Sequence, residues 1–327
     1  MIAFILRRML QAIVVMLAVA AVSFVIFRYM GDPITNLLGQ EATVADRAEM
    51  MERLGLNRPM PLQYLEFVWR GIQGDFGISY RMSRPVTEVI LERLPATLEL
   101  ALVSGIFAFV LGVGFGVYTG VYRHGWLSHT IMTTSLIGVS LPTFLIGILL
   151  IWVFAVELGW LPSYGRGATV DLGWWRTGFL TETGLKSLIL PGITLGLYQM
   201  TLIMRLVRSE MLEVLRTDYI KFARARGLTD RTVNFGHALK NTLVPVITVT
   251  GLQLGSIIAF AIITETVFQW PGVGLLFINS IRFVDVPLMS AYLLLIALVF
   301  VTINLIVDLL YYAVDPRLRI ERPRAVQ

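Results

Sequence analysis

The feature that most constrains this chain is a series of six apolar runs, each long enough to cross a lipid bilayer. They occupy residues 9–27, 97–118, 131–156, 188–206, 243–267 and 288–313. A helix needs about 20 predominantly apolar residues to span the hydrocarbon core. Because that core holds no water to satisfy free backbone groups, a single spanning segment has to be helical. The chain is therefore predicted to be an all-α membrane protein with six transmembrane helices.

The composition also separates this chain from soluble proteins. Hydrophobic residues make up 56% of its 327 residues and charged residues 15%, whereas soluble domains average about 45–50% apolar and roughly 25% charged residues. The chain has no cysteine, which excludes disulfides, thiol catalysis and cysteine-ligated metals. Its net charge of +5 comes from arginines beside apolar runs. This pattern orients membrane proteins, and we expect no nucleic-acid partner.

The distribution of basic residues predicts that both termini lie on the cytoplasmic side. Besides residues 208–241, the segments predicted inside carry Arg7, Arg8, Arg123, Arg317, Arg319, Arg322 and Arg324. The short segments predicted outside carry only Arg166, Arg176, Lys186 and Arg282. Short cytoplasmic loops hold an excess of Lys and Arg. The first apolar run continues past the 7–15 residues typical of a signal peptide, so we expect it to be a retained span.

Four segments follow from this reading. Residues 1–30 are a tail and the first span, and 31–94 form a polar extracytoplasmic subdomain that is too small for a core of its own. Residues 95–316 form a core of five spans that includes the polar loop 208–241, called here the basic loop. Residues 317–327 are a cytoplasmic tail. Within the subdomain, residues 61–69 have helical spacing and the glycines of 74–77 are expected to end that helix.

The basic loop is too polar to span a bilayer, and its pattern is too regular for an unstructured connection. Four bulky residues recur at steps of three and four and so predict one helix face: Leu212, Leu215, Tyr219 and Phe222. Gly227 is then expected in the left-handed conformation that ends helices, and Thr229 or Asp230 can cap a second helix over 231–239. This helix–corner–helix segment predicts either a docking surface for a cytoplasmic protein or a loop that touches lipid headgroups.

The same loop resembles that of a known family. Asp218 and Tyr219, the sequence Ala-Arg-Ala-Arg-Gly at 223–227, His-Ala-Leu-Lys-Asn at 237–241 and Pro245 resemble binding-protein-dependent ABC importer permeases. The resemblance is to the dipeptide, oligopeptide and nickel class, and within it to the first ("B") subunit. In the general motif of such permeases Ile and Pro stand where this chain has His237 and Lys240. The resemblance extends to residues 54–59, 74–77, 92–99, 265–274, 285–287 and 315–319.

This resemblance implies a type I ABC importer permease fold in a bacterial-type inner membrane. It implies three kinds of protein partner besides lipid: a second homologous permease subunit, two ABC ATPases and an extracytoplasmic substrate-binding protein. It also implies that a short helix of the basic loop enters a cleft on an ATPase. The implied coupling residues are Asp218, Tyr219, Phe222, Ala223, Ala225, Arg226, Gly227 and His237.

No cofactor is expected in this chain itself. The Gly-x4-Gly-Lys-Ser/Thr phosphate-binding motif is absent from the sequence, so ATP and Mg²⁺ are expected on the partner ATPases. Metalloprotease and serine-hydrolase motifs are absent too, which argues against an enzyme. The resemblance implies peptides as solutes, with nickel chelates or another small solute as alternatives. An ATP-independent transporter would need charges near mid-membrane or paired broken helices, and neither is evident.

Polar residues inside the apolar runs are candidates for a solute path, although each is equally explained as a hydrogen bond between helices. The six are Ser135, Ser140, Thr143, Gln199, Gln253 and Asn304. Pro142 is expected to kink the third span, and Pro95 to lie in the first turn of the second. The carboxylates of Glu99 and Glu265 are expected at the membrane interface. Gly112, Gly116 and Gly120 predict close helix packing or simple tolerance of glycine.

Overall fold

Helices account for most of the residues that the structure, a computed structural model, describes, which are 2–29, 43–53, 57–173 and 175–314. The predicted tail 317–327 and the motif at 315–319 lie outside them. The α-helices are α1 (Ile2–Tyr29), α2 (Val44–Arg53), α3 (Met60–Ile72), α4 (Val86–Val121), α5 (Trp126–Ser140), α6 (Thr143–Leu150), α7 (Glu182–Val214), α8 (Asp218–Ala225), α9 (Leu239–Val267), α10 (Val273–Arg282) and α11 (Val286–Val314). Residues Ile151–Glu157 and Thr232–Ala238 are π-helical, and strands β1 (Val170–Asp171) and β2 (Arg176–Thr177) form a short hairpin.

The membrane-spanning helices agree with the predicted six runs. In the described residues, four helices are long and apolar enough to cross a membrane: Ile5–Ile26, Val86–Val121, Glu182–Val214 and Val286–Leu309. Two further spans are bent pairs. Trp126–Ser140 and Thr143–Glu157 meet at 110°, and Thr232–Gly251 and Gly255–Val267 meet at 53°. Six spans result when each pair is counted once.

The third run is not the single kinked helix that Pro142 predicts. Helix α5 ends at Ser140, and Leu141 is extended with φ −89° and ψ 139°. Pro142 then precedes α6 with φ −58° and ψ 138°. A proline ring excludes the residue before it from the helical conformation and supplies no N–H. The proline therefore separates two helices instead of bending one.

Helix α4 begins earlier than the apolar run that predicts it. It starts at Val86, so Pro95 lies inside the helix and not in its first turn. The expected boundary between residues 94 and 95 thus falls within a continuous helix. The reason is tertiary: Val86, Val89 and Ile90 are at most 6% exposed because they pack in a core that the preceding polar segment does not reveal.

The chain divides into two compact units, which interleave along the sequence. The first comprises residues 1–97, 172–176 and 271–301. Its core joins the start of α4 to α10 and α11 through Val89, Leu276 and Leu288, and the rings of Phe277 and Tyr292 stack at 4.2 Å. A buried carboxylate, that of Asp285, accepts hydrogen bonds from the Ser79 hydroxyl and the Tyr80 amide. It thereby fixes the turn between α3 and α4.

The second unit comprises residues 98–171, 177–270 and 302–327, and α7 is its central helix. Three glycines of α4 face α7, and a Cβ added to them would lie 2.5–2.9 Å from the nearest atom. They are Gly112 against Ile203, Gly116 against Val207 and Gly120 against Met211. Real Cβ contacts are not that short, so close helix packing requires glycine here. Of the two explanations left open by the sequence, packing is confirmed.

Candidate functional site

The basic loop contains a helix that is separate from α7. Helix α7 ends at Val214, and Thr217 is extended with φ −69° and ψ 154° before α8 begins. The Thr217 hydroxyl donates to the carbonyl oxygen of Val214 at 2.6 Å. The expectation that Leu212, Leu215, Tyr219 and Phe222 lie on one helix is therefore wrong. A threonine that bonds its own backbone competes with the helix and ends it.

The predicted glycine corner is confirmed. Gly227 has φ +78°. The Leu228 amide donates to the Ala223 carbonyl at 3.3 Å, and the Gly227 amide donates to the Arg224 carbonyl at 2.9 Å. These two bonds define the Schellman motif, in which a left-handed residue closes a helix and satisfies its last carbonyls. The chain direction after α8 is thus set by one residue.

The second helical part of the basic loop begins where the sequence predicts but does not end there. The Thr229 hydroxyl accepts from the Thr232 amide at 3.4 Å, and the Thr229 carbonyl accepts from the Val233 amide at 2.9 Å. Of the two predicted caps, Thr229 therefore acts as one. The π-helical segment Thr232–Ala238 then continues without a break into α9. The loop is consequently fastened to a membrane span at both ends.

One side of α8 is buried in the second unit. Ile220 is 0% exposed and Ala223 is 7% exposed, and both pack in one core with Met211, Val233 and Ala238. Ala223 was expected beside Tyr219 and Phe222 on a docking face. The structure corrects this expectation, because its methyl group points into the chain's own core.

The other seven predicted coupling residues lie at the surface. Phe222 is 64% exposed and Tyr219 is 43% exposed, and their three-residue spacing puts them on the same side of α8. We call these two the exposed aromatic pair. The Arg226 guanidinium lies 5.8 Å from the centroid of the Phe222 ring. A cation placed over a ring stabilises its orientation, so Phe222 is presented in a defined position although solvent reaches most of it.

Polar contacts tie α8 to the start of α9. The Tyr219 hydroxyl accepts from the Asn241 side-chain amide at 2.7 Å, and the same amide donates to the His237 carbonyl at 3.1 Å. On the solvent side, Lys221 donates to Asp218 at 2.8 Å, and this hydrogen bond lowers the pKa of the Asp218 carboxyl. The exposed aromatic pair is therefore surrounded by charged side chains, and its helix is hydrogen-bonded to the start of α9.

The six polar residues proposed for a solute path all lie in the second unit. The Ser135 hydroxyl donates to the Met132 carbonyl of its own helix at 2.8 Å, and the Ser135 carbonyl accepts from the Thr201 hydroxyl. Gln199 is 3% exposed, and its side-chain oxygen has no hydrogen-bond partner among the described residues. Ser140 is exposed at the end of α5, whereas Thr143, Gln253 and Asn304 are half-buried.

A groove of about 510 Å³ does occur in the second unit. Its walls are side chains of α4, α9 and α11, among them Phe109, Ile247 and Ile306. None of the six polar candidates belongs to its lining. The lining of the groove is mostly apolar and comes from three membrane spans.

The sequence did not reveal a buried ion pair in the second unit. Glu99 was expected at the membrane interface and Arg166 in a short outside segment, and their side chains are only 0% and 8% exposed and lie 2.6 Å apart. The Gly178 amide also donates to Glu99 at 3.3 Å. Glu265 is 0% exposed as well. The partners are 67 residues apart in the chain, and no local pattern joins them.

Comparison with known protein families gives two matches that together cover most of the chain. Residues 112–320 match the model of the binding-protein-dependent transport system inner membrane component. Residues 1–101 match the model of the N-terminal part of binding-protein-dependent transport system membrane components. The first match contains all of the basic loop and both bent helix pairs.

Several well-described proteins are similar over nearly their full length. The dipeptide transport system permease DppB of Alkalihalophilus pseudofirmus is 41% identical over 98% of this chain and 100% of its own. The oligopeptide transport system permease AppB of Bacillus subtilis is 40% identical over 97% and 99%. The glutathione transport system permease GsiC of Salmonella typhi is 37% identical over 98% and 99%.

Among solved structures, the chain is similar to one in inward-facing conformations of the MetNI methionine ABC transporter. The TM-score is 0.57 at 21% identity, and the match covers 72% of this chain and 100% of the other. At this identity the likeness bears on the fold alone. It identifies the helices as the type I permease fold of ABC importers.

Proposed function

The chain belongs to the family of binding-protein-dependent transport system inner membrane components, and from this premise we propose that it forms the translocation pathway for peptides in an ATP-driven importer. It is a membrane-embedded permease subunit and not an enzyme. The observation that carries the peptide proposal is near-full-length identity of 37–41% with permeases named for dipeptide, oligopeptide and glutathione transport. All three names refer to short peptides, since glutathione is a tripeptide.

We further propose that the basic loop couples this permease to an ATPase. Support comes from its geometry: the exposed aromatic pair stands on a helix whose opposite side is buried, and Gly227 fixes where that helix ends. Aromatic side chains at the centre of an interface contribute strongly to binding when a partner's pocket excludes water from them. ATPase closure would then move α8 and, through Asn241 and the π-helical segment, the spans α7 and α9.

The remaining partners follow from the same family membership. We propose that a second homologous permease completes the pathway, that two ABC ATPases bind ATP and Mg²⁺ on the side of the basic loop, and that a substrate-binding protein delivers solute on the opposite side. With the basic residues facing the cytoplasm, both termini are cytoplasmic and residues 31–94 are extracytoplasmic. The transporter is placed in a bacterial-type inner membrane.

Uptake measurements in a strain that lacks this chain test the solute class. We expect deletion to abolish uptake of a labelled dipeptide or tripeptide, and expression of the chain to restore it, while uptake of ⁶³Ni²⁺ chelates is unchanged. In proteoliposomes, uptake should require both the substrate-binding protein and hydrolysable ATP. Loss of nickel uptake alone would point to the other solute of this class, and uptake without ATP would contradict the importer.

A further inference from the structure

Helix α3 has no buried residue, and its surface is divided into three strips. The first strip packs on α1. The Tyr64 hydroxyl donates to the carbonyl oxygen of Leu17 at 2.8 Å, and the ring of Phe24 lies 5.8 Å from that of Tyr64 and 5.9 Å from that of Phe67. Both contact residues of α1 lie within the candidate span Ile5–Ile26. Helix α3 therefore lies beside a membrane span and not above it.

The second strip of α3 is apolar and exposed within the part of the chain that the structure describes. Its members are Leu62 at 53%, Leu65 at 60%, Trp69 at 61% and Ile72 at 73% exposure. With 3.6 residues per turn, these four side chains fall within an arc of about 80°. An exposed apolar strip of this size on an ordered helix indicates a surface that meets lipid or protein.

The third strip is polar and borders the apolar one, with its centre about 100° further round the helix. It contains Gln63, Glu66, Arg70 and Gln73, which also share an arc of about 80°. Glu66 pairs with Arg58 at 3.0 Å, and Arg70 pairs with Asp75 at 2.9 Å. All four charged side chains are 47–61% exposed, so the charges are balanced locally and face water.

We propose that α3 is an interfacial helix whose apolar strip rests on the acyl chains of the leaflet at the C-terminal end of α1. A helix that lies in the membrane surface has one apolar face toward the acyl chains and one charged face toward water. The indole of Trp69 fits the headgroup level, where tryptophan is enriched. Lipid is the favoured occupant because α1 itself faces lipid: only 11% of its span is buried, and Val22 and Val25 are more than half exposed.

The absence of cysteine from the sequence makes the proposal directly testable. Leu65→Cys and Trp69→Cys are each labelled with bimane, in the chain purified with its associated subunits and placed in nanodiscs of phosphatidylethanolamine and phosphatidylglycerol. Lipids with a nitroxide near the top of the acyl chain quench fluorophores in the interface, and iodide quenches those in water. Ile13→Cys, on an exposed face within the α1 span, is the lipid reference, and Glu66→Cys is the matched water reference from the polar strip.

We expect nitroxide lipid to quench the labels at positions 65 and 69 severalfold more than the label at 66, and iodide to show the opposite order. Equal quenching by iodide at 65, 66 and 69 would mean that the apolar strip faces water and would overturn the proposal. Protection of 65 and 69 from both quenchers would also overturn it, because a protein subunit would then cover the strip. These outcomes do not depend on which solute is transported.

Discussion

Gly227 holds the end of α8 in a conformation that only glycine adopts without strain. Its φ is +78°, and an added Cβ would meet nothing within 4 Å. Any penalty for a side chain therefore arises in the backbone and not from a clash. A non-glycine residue in this region costs about 1–3 kcal/mol, and a β-branched one is a genuine outlier.

We expect Gly227→Val to redirect the chain after α8 and to uncouple ATP hydrolysis from transport, while the chain still inserts in the membrane. The measurement is substrate-stimulated ATPase activity and uptake of the purified complex. Gly236→Ala is the matched control, because Gly236 lies in the same loop without a positive φ and has only a methyl group at 3.8 Å. Normal coupling in Gly227→Val would remove the corner from the mechanism.

Substitutions at two adjacent residues of α8, Phe222 and Ala223, test ATPase docking and chain stability separately. Phe222 is 64% exposed, so Phe222→Ala should leave the thermal stability of the isolated chain unchanged. If Phe222 enters a pocket on the ATPase, the same change should weaken association about tenfold or more, since truncating a central aromatic costs about 2 kcal/mol. The measurement is co-purification of the ATPases at equal membrane expression.

The control for this experiment is Ala223→Asp. Because Ala223 is 7% exposed in the chain's own core, an aspartate there would be a buried charge without a partner. We expect it to lower the unfolding temperature of the isolated chain, which Phe222→Ala should not do. Retention of the ATPases by Phe222→Ala at the wild-type level would count against α8 as the coupling helix.

At the scale of the elements, the contact of α4 with α7 depends on three glycines of α4, Gly112, Gly116 and Gly120, called here the glycine ladder. Gly116 is the tightest point, because an added Cβ would lie 2.5 Å from Val207 and 2.8 Å from the Met204 carbonyl oxygen. Small residues at such a contact allow two membrane helices to pack backbone to backbone. Since α7 leads directly to the basic loop, the ladder connects that loop to α4.

We expect Gly116→Ala to destabilise the purified chain by about 1–3 kcal/mol, the usual cost of overpacking a close contact. Gly114→Ala is the control two residues away on the same helix, where nothing lies within 4 Å of an added Cβ. The measurement is thermal unfolding of both variants in one detergent. Equal unfolding temperatures for both variants would show that α4 and α7 can separate at no cost.

At the scale of the whole molecule, the orientation in the membrane is the property that every partner depends on. The basic residues predict that the loop 208–241 and both termini are cytoplasmic and that residues 31–94 are not. Coupling to an ATPase requires this sense, because ATP is supplied on the cytoplasmic side. An inverted chain would place the exposed aromatic pair where no ATPase exists.

A protease-cleavable tag tests this orientation in intact cells. We expect a tag within 210–239 to be protected from external protease and a tag within 39–52 to be cleaved. Permeabilised cells provide the control, since both tags should then be cut. Cleavage in the reverse sense would refute the orientation and, with it, the coupling role of the basic loop.

The sequence by itself determined the properties that depend on near neighbours in the chain. The six apolar runs predicted the spans, the left-handed position of Gly227 followed from residue type, and Thr229 was one of two residues predicted as a cap. Each of these rests on backbone chemistry within a few residues. Residues 218–219, 223–227 and 237–241 of the basic loop also predicted the permease family. Similarity to peptide permeases over nearly the full length confirmed this prediction.

Only the tertiary structure decided which side of each helix is covered and by what. Ala223 and Phe222 are adjacent, yet one is buried against Val233 and the other is exposed. Glu99 meets Arg166 across 67 residues, and α3 packs through Tyr64 on a span 47 residues earlier. In a chain that faces lipid, an outward and an inward helix face are both apolar. Periodicity therefore cannot distinguish them, and long-range contacts decide the outcome.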